Sequence, residues 1–211
     1  MSPIFHLQKI LKYTKFIHKG KDMLDLQSLI TTLKERFGSS RVINDDSYKH
    51  AIINASNDLI SEFKQNICIY EAQTEENKKV IKIPNIAYIY TAKFDNVNIP
   101  LVRLANICND SRLKLIVLDT QSVRLEPFSV GKLEVMGSFF IDTTATQIPL
   151  SPAFQRAIMQ GATLDLYIML DKPLEHIKSA KMLLNDIKDD LRSQINKAQE
   201  RHSLLTKNVI I

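Results

Sequence analysis

Apolar positions along this 211-residue chain change their period twice. From Asp25 to about Ile67 they recur at three or four residues. Leu26, Leu29, Ile30 and Leu33 form one stripe, which Gly38 with Ser39 and Ser40 ends. Asn44 to Ser47 supply N-cap candidates for a second helix, in which Ile52, Ala55, Leu59 and Phe63 share a face. The short connection predicts a helical hairpin. Asp45 and Asp46, at that helix start, read as caps and dipole partners rather than as a catalytic carboxylate pair.

From Cys68 to Leu150 the period becomes two, which predicts strands over Val80–Ile83, Tyr88–Phe94, Leu113–Leu118, Ser122–Glu126 and Lys132–Phe140. Val123 and Leu125 alternate with Arg124 and Glu126, and Pro127 stops that strand. Leu133 and Val135 alternate with Lys132 and Glu134, and Ser129-Val130-Gly131 is expected to join these two strands by a tight turn. Asp95-Asn96 and Asp119-Thr120 are further turn chemistry. Glu71 to Lys79 reads as a charged loop. Tyr70, Tyr88, Tyr90 and Phe94 suggest a base-stacking platform, but basic residues are not interleaved with them, so core packing is favoured.

From Ser151 onward the helical period returns. Ser151 is a candidate N-cap and Pro152 a first helical residue. Phe154, Ile158, Ala162, Leu164, Ile168 and Met169 predict a broad apolar face. Gly161 within it costs about 1 kcal/mol of helix propensity and so marks an expected close helix crossing. Asp171-Lys172-Pro173 breaks the helix. A long final helix follows from Leu174 to about Leu205, with Ile177, Leu184, Leu191, Ala198 and Leu205 spaced by sevens as a packing seam. Thr206 to Ile211 reads as a short, strand-like tail, which would be frayed or bound to something.

The pattern therefore predicts an α+β chain: a helical hairpin over 25–67, an inserted antiparallel β region over 68–150, and C-terminal helices over 151–206 with an extended tail at 207–211. A chain of this length can bury a full core in one domain. The charge is unevenly placed. The net +5 resides in residues 1–21 of an N-terminal arm, residues 1–24: Lys9, Lys12, Lys15, Lys19 and Lys21 meet no acidic residue there, and the rest of the chain balances to zero. Written on a helix, Ile4, Leu7, Leu11 and Thr14 fall on one side of that arm. It would dock on an acidic partner or nucleic-acid phosphate, or be a surface helix with solvated lysines. A membrane role is disfavoured by the absence of tryptophan, the thin apolar face, and the lack of an apolar run long enough to span a bilayer or form a signal-peptide core.

Candidate chemistry is sparse. None of the five glycines lies in a phosphate-loop context. His6, His18, His50, His176 and His202 are scattered without a second ligand at helical spacing, so no metal site is expected. Cys68 and Cys108 favour two buried thiols over a disulfide. Asp186, Asp189 and Asp190, among Lys181, Lys188 and Arg192, read as a solvated helix face. No catalytic residue and no cofactor is expected, and a binding or structural role is favoured over an enzyme.

Taken in order, the elements resemble the tailed-bacteriophage head-to-tail connectors, the portal-binding neck adaptors, over about residues 25–211. VIKIPNIAYIYTAKFDNVNIPLVRL at 80–104, LKLIVLDTQSVRLEPFSVGKLEV at 113–135 and AFQRAIMQGATLDLYIMLDKP at 153–173 carry the resemblance, with the helix that follows. It implies a single adaptor domain over 25–206 in a non-enzymatic structural protein of the virion neck, assembled in the host cytoplasm as a homo-oligomeric ring, a dodecamer. Such a ring joins the portal protein to a tail, nozzle or stopper protein. DNA passes through its channel without sequence-specific binding. Lys207, Asn208, Val209, Ile210 and Ile211 would reach the portal, and Asp189 and Arg192 on the final helix would serve the subunit interface. Another neck, tail-completion or tail-tube component is the neighbouring alternative. A small DNA-binding module anchored by the basic arm is the alternative from a different class.

Overall fold

The computed structural model describes residues 17–18, 23–38, 43–76, 78–103 and 111–207, with backbone only at 17–18, 103 and 199–207. The chain is α+β and divides into two compact units. One comprises Met1–Lys21 and Ile60–Asp142, the other Asp22–Leu59 and Thr143–Ile211.

The first unit is built from strands. β1 (Ile17–His18), β3 (Ile67–Gln73), β5 (Ile86–Phe94), β6 (Val97–Ile99) and β10 (Lys132–Phe139) form a five-stranded sheet in the order β1-β3-β10-β5-β6. β4 (Val80–Lys82), β7 (Leu101–Arg103), β8 (Lys114–Val117) and β9 (Ser122–Glu126) form a second sheet, ordered β4-β9-β8-β7. All of these pairings are antiparallel except β7 with β8. The chain changes sheet at Pro84, Pro100 and Pro127, where the missing N–H cannot continue a ladder. The inward residues of both sheets merge into one core, including Tyr70, Ile83, Phe94, Leu115, Val123, Leu125, Leu133 and Val135.

The alternation read in β9 and β10 is present: Val123, Leu125, Leu133 and Val135 are buried, and the residues between them are more exposed. Their expected pairing across a tight turn is not. β9 lies in the four-stranded sheet, and β10 lies between β3 and β5 in the other. Gly131 instead draws in the next neighbour of β3. Thr74, 2 % exposed, accepts the Gly131 N–H through Oγ1 at 2.8 Å and donates its own N–H to the Gly131 carbonyl at 2.9 Å. The stretch read as a charged loop from Glu71 is thus strand through Gln73 and then a pinned turn. Elsewhere the turn chemistry holds. Asp95 and Asn96 adopt positive φ between β5 and β6, and the Asp119 carboxylate accepts the Gln121 N–H and the Ser122 hydroxyl, each at 2.7 Å.

The second unit is helical, with a two-stranded ribbon of β2 (Leu24–Asp25) and β11 (Gln147–Ile148). Its helices are α1 (Leu26–Phe37), α2 (Asp45–Phe63, whose last residues belong to the first unit), α3 (Gln155–Met169) and α4 (Leu174–Lys207). Asp25 caps α1 by accepting the Ser28 N–H at 2.7 Å, and Gly38 closes it at φ 67°. Asn44 caps α2 by accepting the Ser47 N–H at 2.8 Å. Leu26, Leu29, Ile30, Leu33, Ile52, Ala55 and Leu59 are all buried. Gly161 lies at a close crossing of α3 on α2, next to Ala55.

Three expectations need correction here. Ser151 precedes a 3₁₀ turn, Pro152–Phe154, without a side-chain capping bond; its carbonyl, not its hydroxyl, accepts the Phe154 N–H. The buried face of α3 is Ala157, Ile158, Met159, Gly161, Ala162, Thr163 and Leu166, whereas Ile168 and Met169 are exposed because the helix ends just beyond them. On α4 the sevenfold stripe is half of a seam. Ala180, Ile187 and Leu191 are buried, Ile177, Leu184 and Ile195 half-buried, and Ala198 is exposed.

Candidate functional site

A concavity among the described residues lies in the helical unit. It is an open groove of about 640 Å³ whose lining comes from the end of α1, one side of α3, the turn after α3, and the first turns of α4. On α3, Gln160, Thr163 and Tyr167 succeed one another at helical spacing. On α4, His176, Ser179, Ala180 and Leu183 do the same. Arg36 and Phe37, at the end of α1, and Lys172, in the turn after α3, complete the lining.

Local chain geometry fixes these positions. Leu170 ends α3, Asp171 takes φ 48°, and the Lys172 N–H donates to the Tyr167 carbonyl at 3.0 Å. This turn places Lys172 beside the residues it lines the groove with. Tyr167 meets Phe37 edge to ring at 5.7 Å between centroids and His176 at 6.3 Å. Gln160 Nε2 donates to the Ala180 carbonyl at 3.1 Å, tying α3 to α4 beneath the opening. The Thr163 hydroxyl is spent on the Met159 carbonyl at 2.7 Å.

The groove's electrostatics are one-sided. Its lining contains Arg36, Lys172 and His176 and no Asp or Glu. None of the three forms an ion pair with any described residue. Other cations of the same unit do: Lys34 Nζ lies 2.7 Å from Asp45, and Arg192 pairs with Asp189 one helical turn away. An anion is the ligand type this arrangement can hold.

No protein-family model matches the chain, and no curated protein matches its sequence. Among the described residues no group of three or more His, Cys, Asp or Glu side chains is placed to hold a metal ion, and no helix is long and apolar enough to cross a membrane.

Of the residues singled out in the sequence, Asp189 and Arg192 lie together on the exposed side of α4, paired with each other. Lys207 belongs to α4 by backbone, and Asn208, Val209, Ile210 and Ile211 lie outside the described residues, as do Lys9, Lys12, Lys15, Lys19, Lys21 and Cys108. Cys68 is a buried thiol, with burial pushing its pKa up to about 11. The aromatic set is split. Tyr70 and Phe94 are core, but Tyr88 is 41 % exposed, meets Tyr90 at 5.1 Å, and carries the Lys64 ammonium 4.3 Å above its ring. Lys64, a neighbour in space and not in sequence, is the basic residue that the linear pattern lacked.

The groove residues escaped the sequence reading. Their only linear signal is weak: a lysine inside a helix-breaking Asp-Lys-Pro and a histidine three residues after the proline.

Proposed function

We propose that this chain is a head-to-tail adaptor of a tailed bacteriophage, a structural protein of the virion neck that forms a ring, binds the portal and passes DNA. The observation that carries the reading is α4. At 34 residues it extends about 51 Å, at 1.5 Å per residue. From Arg192 to Ala198 only Ile195 is even half-buried, and Leu174 and Met182 are exposed at 63 % and 68 %. A helix this long, with bare apolar side chains and a mixed-charge flank, suits contacts with other chains. The order of helical hairpin, β insertion and C-terminal helices, which resembles the connector family, supports the same reading.

In this proposal Asp189 and Arg192 face a neighbouring subunit, and the segment from Lys207, the last residue of α4, to Ile211 engages the portal. Burial of Val209, Ile210 and Ile211 would contribute about 1.5–3 kcal/mol each before ordering costs, and repetition around a ring would add avidity. Another neck or tail-tube component remains the alternative within the class. A DNA-binding module anchored by Lys9, Lys12, Lys15, Lys19 and Lys21 is the alternative outside it.

The test is whether a portal gene lies beside this one and, with that portal, co-assembly measured by mass photometry and negative-stain imaging. A closed ring seated on the portal, lost on deletion of residues 207–211 with melting temperature unchanged, is the expected result. Capture by tail protein alone favours the tail component. Salt-sensitive DNA binding that vanishes with residues 1–21, without any ring, favours the DNA-binding module.

A further inference from the structure

The groove between α1, α3 and α4 combines two properties that seldom coincide on a solvated surface. Its lining has apolar and aromatic side chains, Phe37, Tyr167, Ala180 and Leu183, beside the polar Gln160, Thr163 and Ser179. It is also lined by Arg36, Lys172 and His176, none of them ion-paired with a described residue. Asp171 and Glu175 flank Lys172 and His176 in sequence, yet neither carboxylate lines the groove or pairs with them. Glu35 likewise adjoins Arg36 without pairing to it. The positive field is left for something outside the described residues.

We infer that this groove is a docking site for an acidic segment of a partner protein, one in which carboxylates flank an apolar anchor side chain. Charge complementarity sets the sign of the occupant, since cations with no intramolecular carboxylate gain most from an anionic visitor. The apolar walls set the rest: an inserted leucine or phenylalanine would cover Tyr167, Phe37 and Leu183, the last of which is 42 % exposed. A nucleotide fits less well. The groove is open, no glycine lines it, and Arg36, Lys172 and His176 stand on α1, the turn and α4 rather than converging from a loop of backbone N–H donors. The eight residues from His176 to Leu183 span about 10 Å of helix, long enough to meet several residues of an extended segment. The inference stands independently of the adaptor reading, because it concerns a surface contained within one unit of one chain.

The experiment uses the full chain and three probes: a fluorescein-labelled peptide Asp-Glu-Leu-Phe-Asp-Glu, its counterpart Lys-Arg-Leu-Phe-Lys-Arg, and ATP. Fluorescence anisotropy should show the acidic peptide bound, the basic one not, and ATP unable to displace the acidic peptide at equal concentration. Arg36→Gln/Lys172→Gln should weaken binding about tenfold or more, as loss of two charge contacts requires. Lys93→Glu, an exposed cation of the other unit, should leave it unchanged. Melting temperatures and circular dichroism of each variant report folding separately. Leu183→Asp, which keeps the cations but spoils the apolar wall, should weaken binding too. The inference is overturned if the acidic peptide does not bind, if the basic peptide binds equally, if ATP displaces it, or if folded Arg36→Gln/Lys172→Gln binds like the native chain.

Discussion

Gly161 is the position at which the packing of the helical unit can be tested most sharply. A Cβ built there would lie 2.9 Å from the Cβ of Ala55 and 3.7 Å from its Cα. Carbon atoms in ordinary contact sit about 3.5–4.0 Å apart, so a methyl group at 161 must push α3 off α2. Ala157, Ile158 and Ala162 around it are fully buried, which leaves no slack for the shift. Helix propensity alone would make Gly161→Ala stabilising by about 1 kcal/mol. Overpacking a full interior costs about 1–3 kcal/mol, so the net expectation is destabilisation of about 1 kcal/mol. Ala55→Gly should also cost about 1 kcal/mol, by propensity. The double variant moves the methyl from one helix to the other and should return close to native stability, about 2 kcal/mol better than the sum of its parts. Urea unfolding followed by far-ultraviolet circular dichroism reads this, with residue-resolved hydrogen exchange confirming that the helical unit responds. Additive single and double values, or a stabilised Gly161→Ala, would refute the crossing.

Three other outcomes follow from the structure. Thr74→Val should destabilise the strand unit by about 1–3 kcal/mol, because the Gly131 N–H loses its acceptor in a buried turn; thermal melting checks it. The Cys68 thiol, raised by burial from 9.0 to about 11, holds its proton in the folded state where the unfolded chain has lost it. Stability should therefore fall as pH rises from 9 to 11, and the slope should flatten in Cys68→Ala, as denaturation across that range will show. Asp165 has its carboxyl pKa raised, first by burial and then by Asp58, so its charge opposes folding near neutrality. Asp165→Asn should raise the melting temperature at neutral pH, and the gain should shrink as pH falls through the raised pKa and the native carboxyl becomes neutral.

How much of this was legible in the sequence depends on where the deciding partner lies. The stripe Leu26, Leu29, Ile30 and Leu33, the stop at Gly38 and the turn at Asp95-Asn96 are decided within a few residues, and they fold as read. β3 was missed, although Ile67 to Tyr70 is apolar, because Glu71 and Gln73 continue the strand on its outer side, where charge is tolerated. The β9–β10 hairpin was misread for a related reason. Alternation gives each strand a buried face but does not say which strand it pairs with, and β10 gains more by filling the gap between β3 and β5. The exposed end of α3 shows the same limit, since Ile168 and Met169 continue the apolar count past the point where another element covers it.

The candidate site was less legible than the fold because charge is local in sequence only when its partner is. Asp189 and Arg192 stand three residues apart, so their pairing can be anticipated from one helical turn. Lys34 and Asp45 are eleven residues apart and meet only because α1 and α2 are joined by a short connection. Arg36, Lys172 and His176 belong to one groove through the packing of three helices, and no spacing rule relates the first to the others. What distinguishes them is a missing carboxylate, and a missing partner leaves no mark in a linear pattern. The same holds for Lys64 over Tyr88, which supplies to an exposed aromatic pair the cation that counting along β5 could not find. Motif reading is suited to chemistry carried on one segment. In this chain the unpaired cations and the exposed ring arise where segments meet, so the candidate binding surfaces become visible only after the helices and sheets have been assembled.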